Sequence, residues 1–223
     1  MYKPEVQIKG NSYISNLHIF YSVKLGRCVS CWSDLEYYNC LLLECNPTVL
    51  TYCEQPLTIQ GEYGGKLVKT RFDTWAKYID GSEEFMEIKY SDCFKEGHKS
   101  YNNTIKQTSV QRQWCLENNK GYVIRTEKDI LSSLYLINNL KKIYCFVREV
   151  RGIKRSHMIK VLDYLKTGPK SLRAIVNLFE MPIANVYTLV FTLIYTGQCT
   201  VDNLSTKIID LSTEVHIGCL DIA

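Results

Sequence analysis

A chain of 223 residues fits one medium domain, or one domain with a small appendage. Hydrophobic residues make up 46% of it, which is enough for a buried core and excludes a wholly disordered chain. The formal net charge of +4 argues against a protein that grips a long stretch of nucleic acid alone, because counterion release drives such binding.

The ten cysteines do not predict a disulfide scaffold. The first ten residues are mixed and charged, so we expect no signal peptide, and no apolar run reaches the length of a membrane span. We therefore expect a cytoplasmic protein with reduced thiols and no membrane contact. Cys28 and Cys31 form one C-x-x-C pair without a second pair. Ordinary thiols are the simpler interpretation, and a zinc site is the alternative.

In chain order, residues 1–21 are polar with scattered aromatic side chains and are predicted to form an N-terminal arm. A helix is predicted to begin at Ser33, with Glu36 at the capping-box position, and to end at Asn46-Pro47. Strands are then predicted over 49–52, 57–60, 66–79 and 85–90, with a hairpin turn at Asp80-Gly81.

A second helix is predicted over 101–118, a short strand over 121–125, and a further helix capped by Thr126. The order of the predicted elements is helix, several antiparallel strands, helix and strand. This order predicts an α/β (α+β) fold over residues 22–150, with a mixed sheet flanked by helices.

Residues 151–223 are predicted to form a small winged-helix-like domain, with three helices followed by a hairpin that pairs 199–201 with 207–211. The third helix carries no Arg or Lys over 186–194, so we expect it to serve packing and protein docking rather than base reading. The basic stretch before this domain is predicted to contact phosphates, and a solvated connector is the alternative. It contains Lys141, Lys142, Arg148, Arg151, Lys154 and Arg155.

The chemical centre of the sequence is Asp73 together with Glu87-Ile88-Lys89. Side chains alternate along a strand, so Glu87 and Lys89 should share one face while Ile88 points into the core. Asp73, on the preceding strand of the predicted hairpin, would bring a second carboxylate near Glu87. Converging carboxylates repel unless a cation lies between them, and oxygen ligands suit Mg²⁺ or Mn²⁺. An acid-x-Lys triplet is common by chance, however, and the solvated face of an edge strand is the alternative.

An ordered series of short motifs resembles the PD-(D/E)xK nuclease superfamily, and more closely the TnsA endonucleases of Tn-seven-type transposons. The series is Ser33-Asp34-Leu35-Glu36, Leu43-Glu44, Glu54-Gln55-Pro56, Phe72-Asp73, Glu87-Ile88-Lys89, Arg125-Thr126-Glu127-Lys128-Asp129-Ile130 and Asn138-Asn139-Leu140. One departure is Phe72, which stands where the superfamily name has a proline.

The resemblance implies a restriction-endonuclease-like fold with Glu36, Asp73, Glu87 and Lys89 as the catalytic set. It also implies a Mg²⁺ site, with Mn²⁺ as a substitute, held by Glu36, Asp73, Glu87 and the backbone carbonyl of Ile88. For Glu36 the alternative is stabilisation of a helix N-terminus. Gln55 is expected to contact DNA, and a hydrogen-bonded turn before Pro56 is the alternative.

By the same resemblance, the chain is expected to be a bacterial endonuclease that hydrolyses the 5′ strand at transposon ends. Its implied partners are the transposon-end DNA, the TnsB transposase and the TnsC AAA+ ATPase, with the C-terminal domain docking TnsC. The compact length would suit a CRISPR-associated transposon. Two alternatives stay open: a nuclease-fold adaptor that binds the ATPase with little cutting, and another restriction or repair nuclease.

Overall fold

The computed structural model describes residues 1–5, 16–148 and 153–218. The chain divides into two compact units: unit 1 comprises Met1–Leu43 and Val49–Ser132, and unit 2 comprises Glu44–Thr48 and Ser133–Ala223. The predicted boundary between residues 150 and 151 lies outside the described residues. The structure separates the units earlier, at Ser132, because the helix that follows packs within unit 2. No helix in the described ranges has the length and apolar character needed to cross a membrane.

Unit 1 is built mainly from strands. They are β1 (His18–Ser22), β2 (Arg27–Cys31), β3 (Val49–Glu54), β4 (Thr58–Tyr63), β5 (Lys66–Arg71), β6 (Thr74–Tyr78), β7 (Glu83–Ile88) and β8 (Gly121–Arg125). The helices are α1 (Asp34–Cys45), whose last two residues belong to unit 2, α2 (Tyr101–Glu117) and α3 (Glu127–Ile130), with a 3₁₀ turn over Ser91–Phe94.

The main sheet has the strand order β3-β6-β7-β8. Neighbours are antiparallel except β7 and β8, which run parallel because α2 lies between them in the chain and carries it back to the start of the sheet. The remaining strands form two separate hairpins, β1-β2 and β4-β5. This arrangement confirms the predicted mixed sheet with helices.

The single strand predicted over 66–79 is wrong, because the chain changes sheet at Phe72-Asp73. β5 pairs with β4, whereas β6 pairs with β3 and β7. Phe72 is fully buried and its N–H donates to the Leu57 carbonyl at 3.1 Å, while the Asp73 N–H donates to the Met86 carbonyl at 3.1 Å. Asp73 therefore lies just before β6, at the junction of two sheets.

Unit 2 combines four helices with three short strands among its described residues. They are α4 (Leu134–Val147), α5 (Arg155–Leu165), β9 (Lys170–Ser171), α6 (Leu172–Asn177), α7 (Ile183–Tyr195), β10 (Cys199–Val201) and β11 (Glu214–Ile217), with the sheet order β10-β11-β9. The winged-helix-like assignment stays a prediction.

The hairpin predicted between 199–201 and 207–211 is wrong, since β10 pairs with β11 instead. Buried Asn139 of α4 holds the intervening segment by its backbone. Its Nδ2 donates to the carbonyls of Leu204 and Lys207 at 2.8 and 2.7 Å, and its Oδ1 accepts from the Ile209 N–H at 2.9 Å. These bonds occupy the backbone groups that a strand would have used.

Candidate active site

Asp73 is fixed by its position between the two sheets. Its Oδ2 accepts a hydrogen bond of 2.7 Å from the Ile88 N–H, so the end of β7 holds the carboxylate directly. The Asp73 carbonyl accepts from the Gln55 N–H at 2.8 Å, which ties the same residue to the segment after β3. The side chain is 18% exposed, and a ligand can therefore reach it.

Glu87 lies on an internal strand, because β7 is flanked by β6 and β8. Its side chain is 0% exposed, so the interpretation as the solvated face of an edge strand is wrong. Ile88 packs with Leu35 and Ile130, as the strand alternation predicted. Burial of a carboxylate without hydrogen-bond partners would cost several kcal/mol, so Glu87 requires donors around it.

Two glutamines of α2 donate hydrogen bonds to the Glu87 carboxylate, and no sequence motif marks either of them. Gln107 Nε2 donates to Glu87 Oε1 and Gln111 Nε2 donates to Glu87 Oε2, each at 2.6 Å. Tyr122 of β8 in turn donates to Gln111 Oε1 at 2.8 Å. Their spacing of four residues placed both glutamines on one helix face, but only the fold shows that this face covers β7.

Lys89 completes the cluster. Its ammonium lies 2.5 Å from Glu87 Oε1 and 4.0 Å from Asp73 Oδ2. The side chain is 26% exposed, which leaves the ammonium reachable from solvent. The structure thus brings together three of the four predicted catalytic side chains by direct contact.

Glu36 stands at the start of α1, where it helps to cap the helix. Its Oε2 accepts from the Trp32 N–H at 2.9 Å and its Oε1 accepts from the Ser33 hydroxyl at 3.2 Å. Burial raises its pKa, and repulsion by Asp73 raises it further, against these two hydrogen bonds and the attraction of Lys89. The charges of Asp73 and Lys89 therefore act on Glu36, although no hydrogen bond or ion pair joins it to either residue in the described structure.

The pKa shifts show how strongly the acids disturb one another. Burial and then repulsion by Asp73 raise the pKa of Glu87 to about 8, although Lys89 opposes the shift. Burial also raises the pKa of Asp73, with Lys89 and the Ile88 N–H opposing it. For Lys89, burial lowers the pKa, but attraction by Asp73, Glu87 and Glu36 outweighs it and the pKa is raised. Such a cluster favours additional positive charge.

The donor set of the cluster suits a hard divalent cation, because Asp73, Glu87 and Glu36 offer only oxygen atoms. The geometry is less favourable: in the described parts of the chain, no group of three or more His, Cys, Asp or Glu is arranged to hold a metal ion. The Lys89 ammonium, 2.5 Å from Glu87 Oε1 and 4.0 Å from Asp73 Oδ2, is the cation that stands beside both acids. The metal site and the carbonyl of Ile88 as a ligand stay predictions.

Gln55 adopts an unusual conformation next to the cluster. Its φ of 42° lies in the left-handed region, which costs a residue with a side chain some free energy. Its backbone donates to the Asp73 carbonyl and accepts from the Glu5 N–H, so the turn interpretation accounts for part of its role. Its side-chain Oε1 is buried without a partner among the described residues. DNA contact by Gln55 stays a prediction.

The predicted basic stretch is only partly available for phosphate contact, and its described residues belong to unit 2. Lys142 donates to the Ile209 carbonyl at 2.9 Å and lies over the Tyr187 ring, so its charge is already engaged. Lys141 is half-buried. Arg148 is exposed beside the Tyr144 ring, and Lys154 and Arg155 are exposed at the start of α5. Arg151 lies outside the described residues.

The C-x-x-C pair follows the simpler interpretation. Cys28 is exposed and Cys31 is buried on β2, as expected of alternating side chains on a strand. The two thiols therefore lie on opposite faces of β2.

Residues 46–127 match the sequence model of a family described as TnsA-like endonuclease N terminal. This part of the chain is similar to the N-terminal domain of TnsA-like endonucleases. The match spans Asp73, Glu87 and Lys89 together with both supporting glutamines, whereas Glu36 precedes it. The mixed sheet and its helices agree with the restriction-endonuclease-like fold expected of such a domain. No curated protein matches the chain significantly.

Proposed function

We propose that the chain is a Mg²⁺-dependent endodeoxyribonuclease that hydrolyses the 5′ strand at transposon ends, together with TnsB and TnsC. The observation that carries the proposal is the convergence of Asp73, Glu87 and Lys89 inside the TnsA-like domain. The net charge of +4 suits a subunit whose partners bring it to DNA. A Tn-seven-type element, whether CRISPR-associated or not, would supply those partners.

Each side chain of the cluster has a distinct role in this proposal. Asp73 and Glu87 would hold the metal ion, with Glu36 and the carbonyl of Ile88 as further ligands. A bound Mg²⁺ or Mn²⁺ supplies charge neutralisation at the scissile phosphate and a water of lowered pKa. Lys89 would give up its contact with Glu87 and hold a phosphate oxygen or the attacking water as a point charge. Gln107 and Gln111 keep the Glu87 carboxylate in place.

Strand-specific cleavage tests the proposal. Transposon-end DNA labelled on the 5′ strand is incubated with the full chain, TnsB, TnsC and Mg²⁺. We expect nicking near the 5′ end with the wild-type chain, and its loss with Asp73→Ala or Lys89→Ala. Asp92→Ala is a matched control, since Asp92 is an exposed acid whose one ion pair among the described residues is with Lys95. Unchanged nicking after Asp73→Ala would remove the assigned site.

A second candidate is a nuclease-fold adaptor for the ATPase, and one observation favours it. Lys89 lies 2.5 Å from Glu87 and 4.0 Å from Asp73, so its ammonium already offsets one of their two negative charges. An adaptor would support transposition with TnsB and TnsC equally well after Asp73→Ala. A nuclease would lose 5′-strand cleavage while it retained ATPase binding.

A further inference from the structure

A polar cavity of about 420 Å³ opens beside Asp73, entirely within unit 1. Its volume lies in the range of about 300–1,000 Å³ that is typical of ligand sites in proteins. Three cationic side chains and three amides line it together with Asp73: Lys69, Arg71, Lys106, Gln55, Asn103 and Gln107. None of these cations was singled out by the sequence motifs.

Two rigid elements position the cations. Lys69 and Arg71 are two residues apart on β5, so they share one face of the strand. Asn103 and Lys106 are three residues apart on α2, so they share one face of the helix.

Helix α2 packs tightly against the β4-β5 hairpin at a glycine. A Cβ on Gly61 of β4 would lie 2.7 Å from Val110 Cγ1 of α2, closer than real contacts allow. Only glycine therefore permits this approach of helix and hairpin, and the cavity between them is built into the fold.

The cations of the cavity are unpaired, unlike others in unit 1. Arg27 pairs with Glu54 at 2.7 Å and Lys120 pairs with Glu83 at 2.9 Å. By contrast, Lys69, Arg71 and Lys106 form no ion pair with any residue that the structure describes. Asp73 supplies at most one negative charge against these three cations, and the Ile88 N–H and Lys89 also engage its carboxylate. The cavity therefore carries net positive charge and suits an anion.

We infer that this cavity binds backbone phosphates of the DNA strand that is cut, next to the scissile phosphate. Lys69, Arg71 and Lys106 present ammonium and guanidinium groups, which bind phosphate oxygens well. No aromatic side chain lies among the described residues that line the cavity, so it offers no surface on which a base would stack. Contacts of this kind position a strand without reading its sequence. The inference rests on the proposed function and names where its substrate lies.

A binding measurement with paired variants tests the inference. The full chain is titrated against a fluorescent duplex of the transposon end, with EDTA to prevent cleavage, over ~50–200 mM salt. The test variant is Lys69→Ala with Lys106→Ala; Arg71 is retained because its charge acts on Asp73. The control is Lys66→Ala with Arg112→Ala, which removes one exposed cation from each of the same two elements outside the cavity. Urea unfolding of each variant establishes that it is folded.

We expect the test variant to bind at least about tenfold more weakly at the lowest salt, and its salt-dependence slope to fall by about two, since each lost phosphate contact removes about 0.9. The control should stay near wild type. Equal affinity and slope for the two double variants would overturn the inference, as would a wild-type chain that does not bind the duplex.

The cleavage assay separates this outcome from a failure of the proposed function. If Asp73→Ala abolishes nicking while the two double variants bind alike, only the cavity is misassigned. If nicking is independent of Asp73, the nuclease assignment fails whatever the binding data show.

Discussion

Gln111→Leu should strongly destabilise unit 1, because one buried amide serves four groups. Gln111 Nε2 donates to Glu87 Oε2, to Thr70 Oγ1 and to the Arg71 carbonyl, and its Oε1 accepts from Tyr122. Each such hydrogen bond contributes about 0.5–1.5 kcal/mol, and a buried polar group left without a partner costs about 1–3 kcal/mol. After allowance for the apolar area that leucine buries, we expect unfolding to require about 3 kcal/mol less free energy.

Urea unfolding followed by tryptophan fluorescence measures this loss in unit 1 specifically, because all three tryptophans lie there. Gln113→Leu is the matched control: Gln113 is on the same helix, but its bond to Glu117 is exposed, so the change should stay within about 0.5 kcal/mol. Equal effects of the two substitutions would refute the account of how Glu87 is held.

Three further predictions concern packing, unit 2 and pH. Gly61→Ala should destabilise unit 1 by about 1–3 kcal/mol through overpacking against Val110, and adding Val110→Ala should reduce that loss in urea unfolding. Asn139→Ala should cost about 2–4 kcal/mol by leaving buried backbone groups unpaired, whereas exposed Asn138→Ala should cost little; hydrogen exchange in unit 2 would measure both. In EDTA, the thermal midpoint should fall as pH rises from about 4.5 to 8, because folded Glu87 keeps a proton that the unfolded chain releases. Glu87→Gln should flatten this dependence, and an identical slope in the variant would contradict it.

The sequence was sufficient for much of the fold because its local signals were strong. Asn46-Pro47 ends α1 one residue after Cys45, and Asp80-Gly81 forms the turn between β6 and β7. The break at Phe72-Asp73 could not be predicted, because alternation continues along the chain while the hydrogen-bonding partner changes. That change of sheet is also what places Asp73 against the end of β7.

The acids and the lysine of the candidate site could be predicted from the sequence, but the residues that hydrogen-bond to Glu87 could not. Motif spacing indicated Asp73, Glu87 and Lys89, because the acid-x-Lys pattern constrains neighbours on one strand. Gln107 and Gln111 carry no such pattern, since glutamines are common on exposed helix faces. Only the packing of α2 over the sheet turns them into donors for a buried carboxylate. The same packing creates the cationic cavity, which joins residues far apart in sequence.

Calorimetric titration of Mn²⁺ into the metal-free full chain tests the central claim most directly, namely that these acids form a divalent-cation site. We expect binding by the wild type, its loss in Asp73→Asn, and tighter binding in Lys89→Met, where no ammonium competes with the metal ion for the carboxylates. The exposed control Asp92→Asn should bind like the wild type. Absence of binding heat, or equal affinity in Asp73→Asn, would contradict the claim.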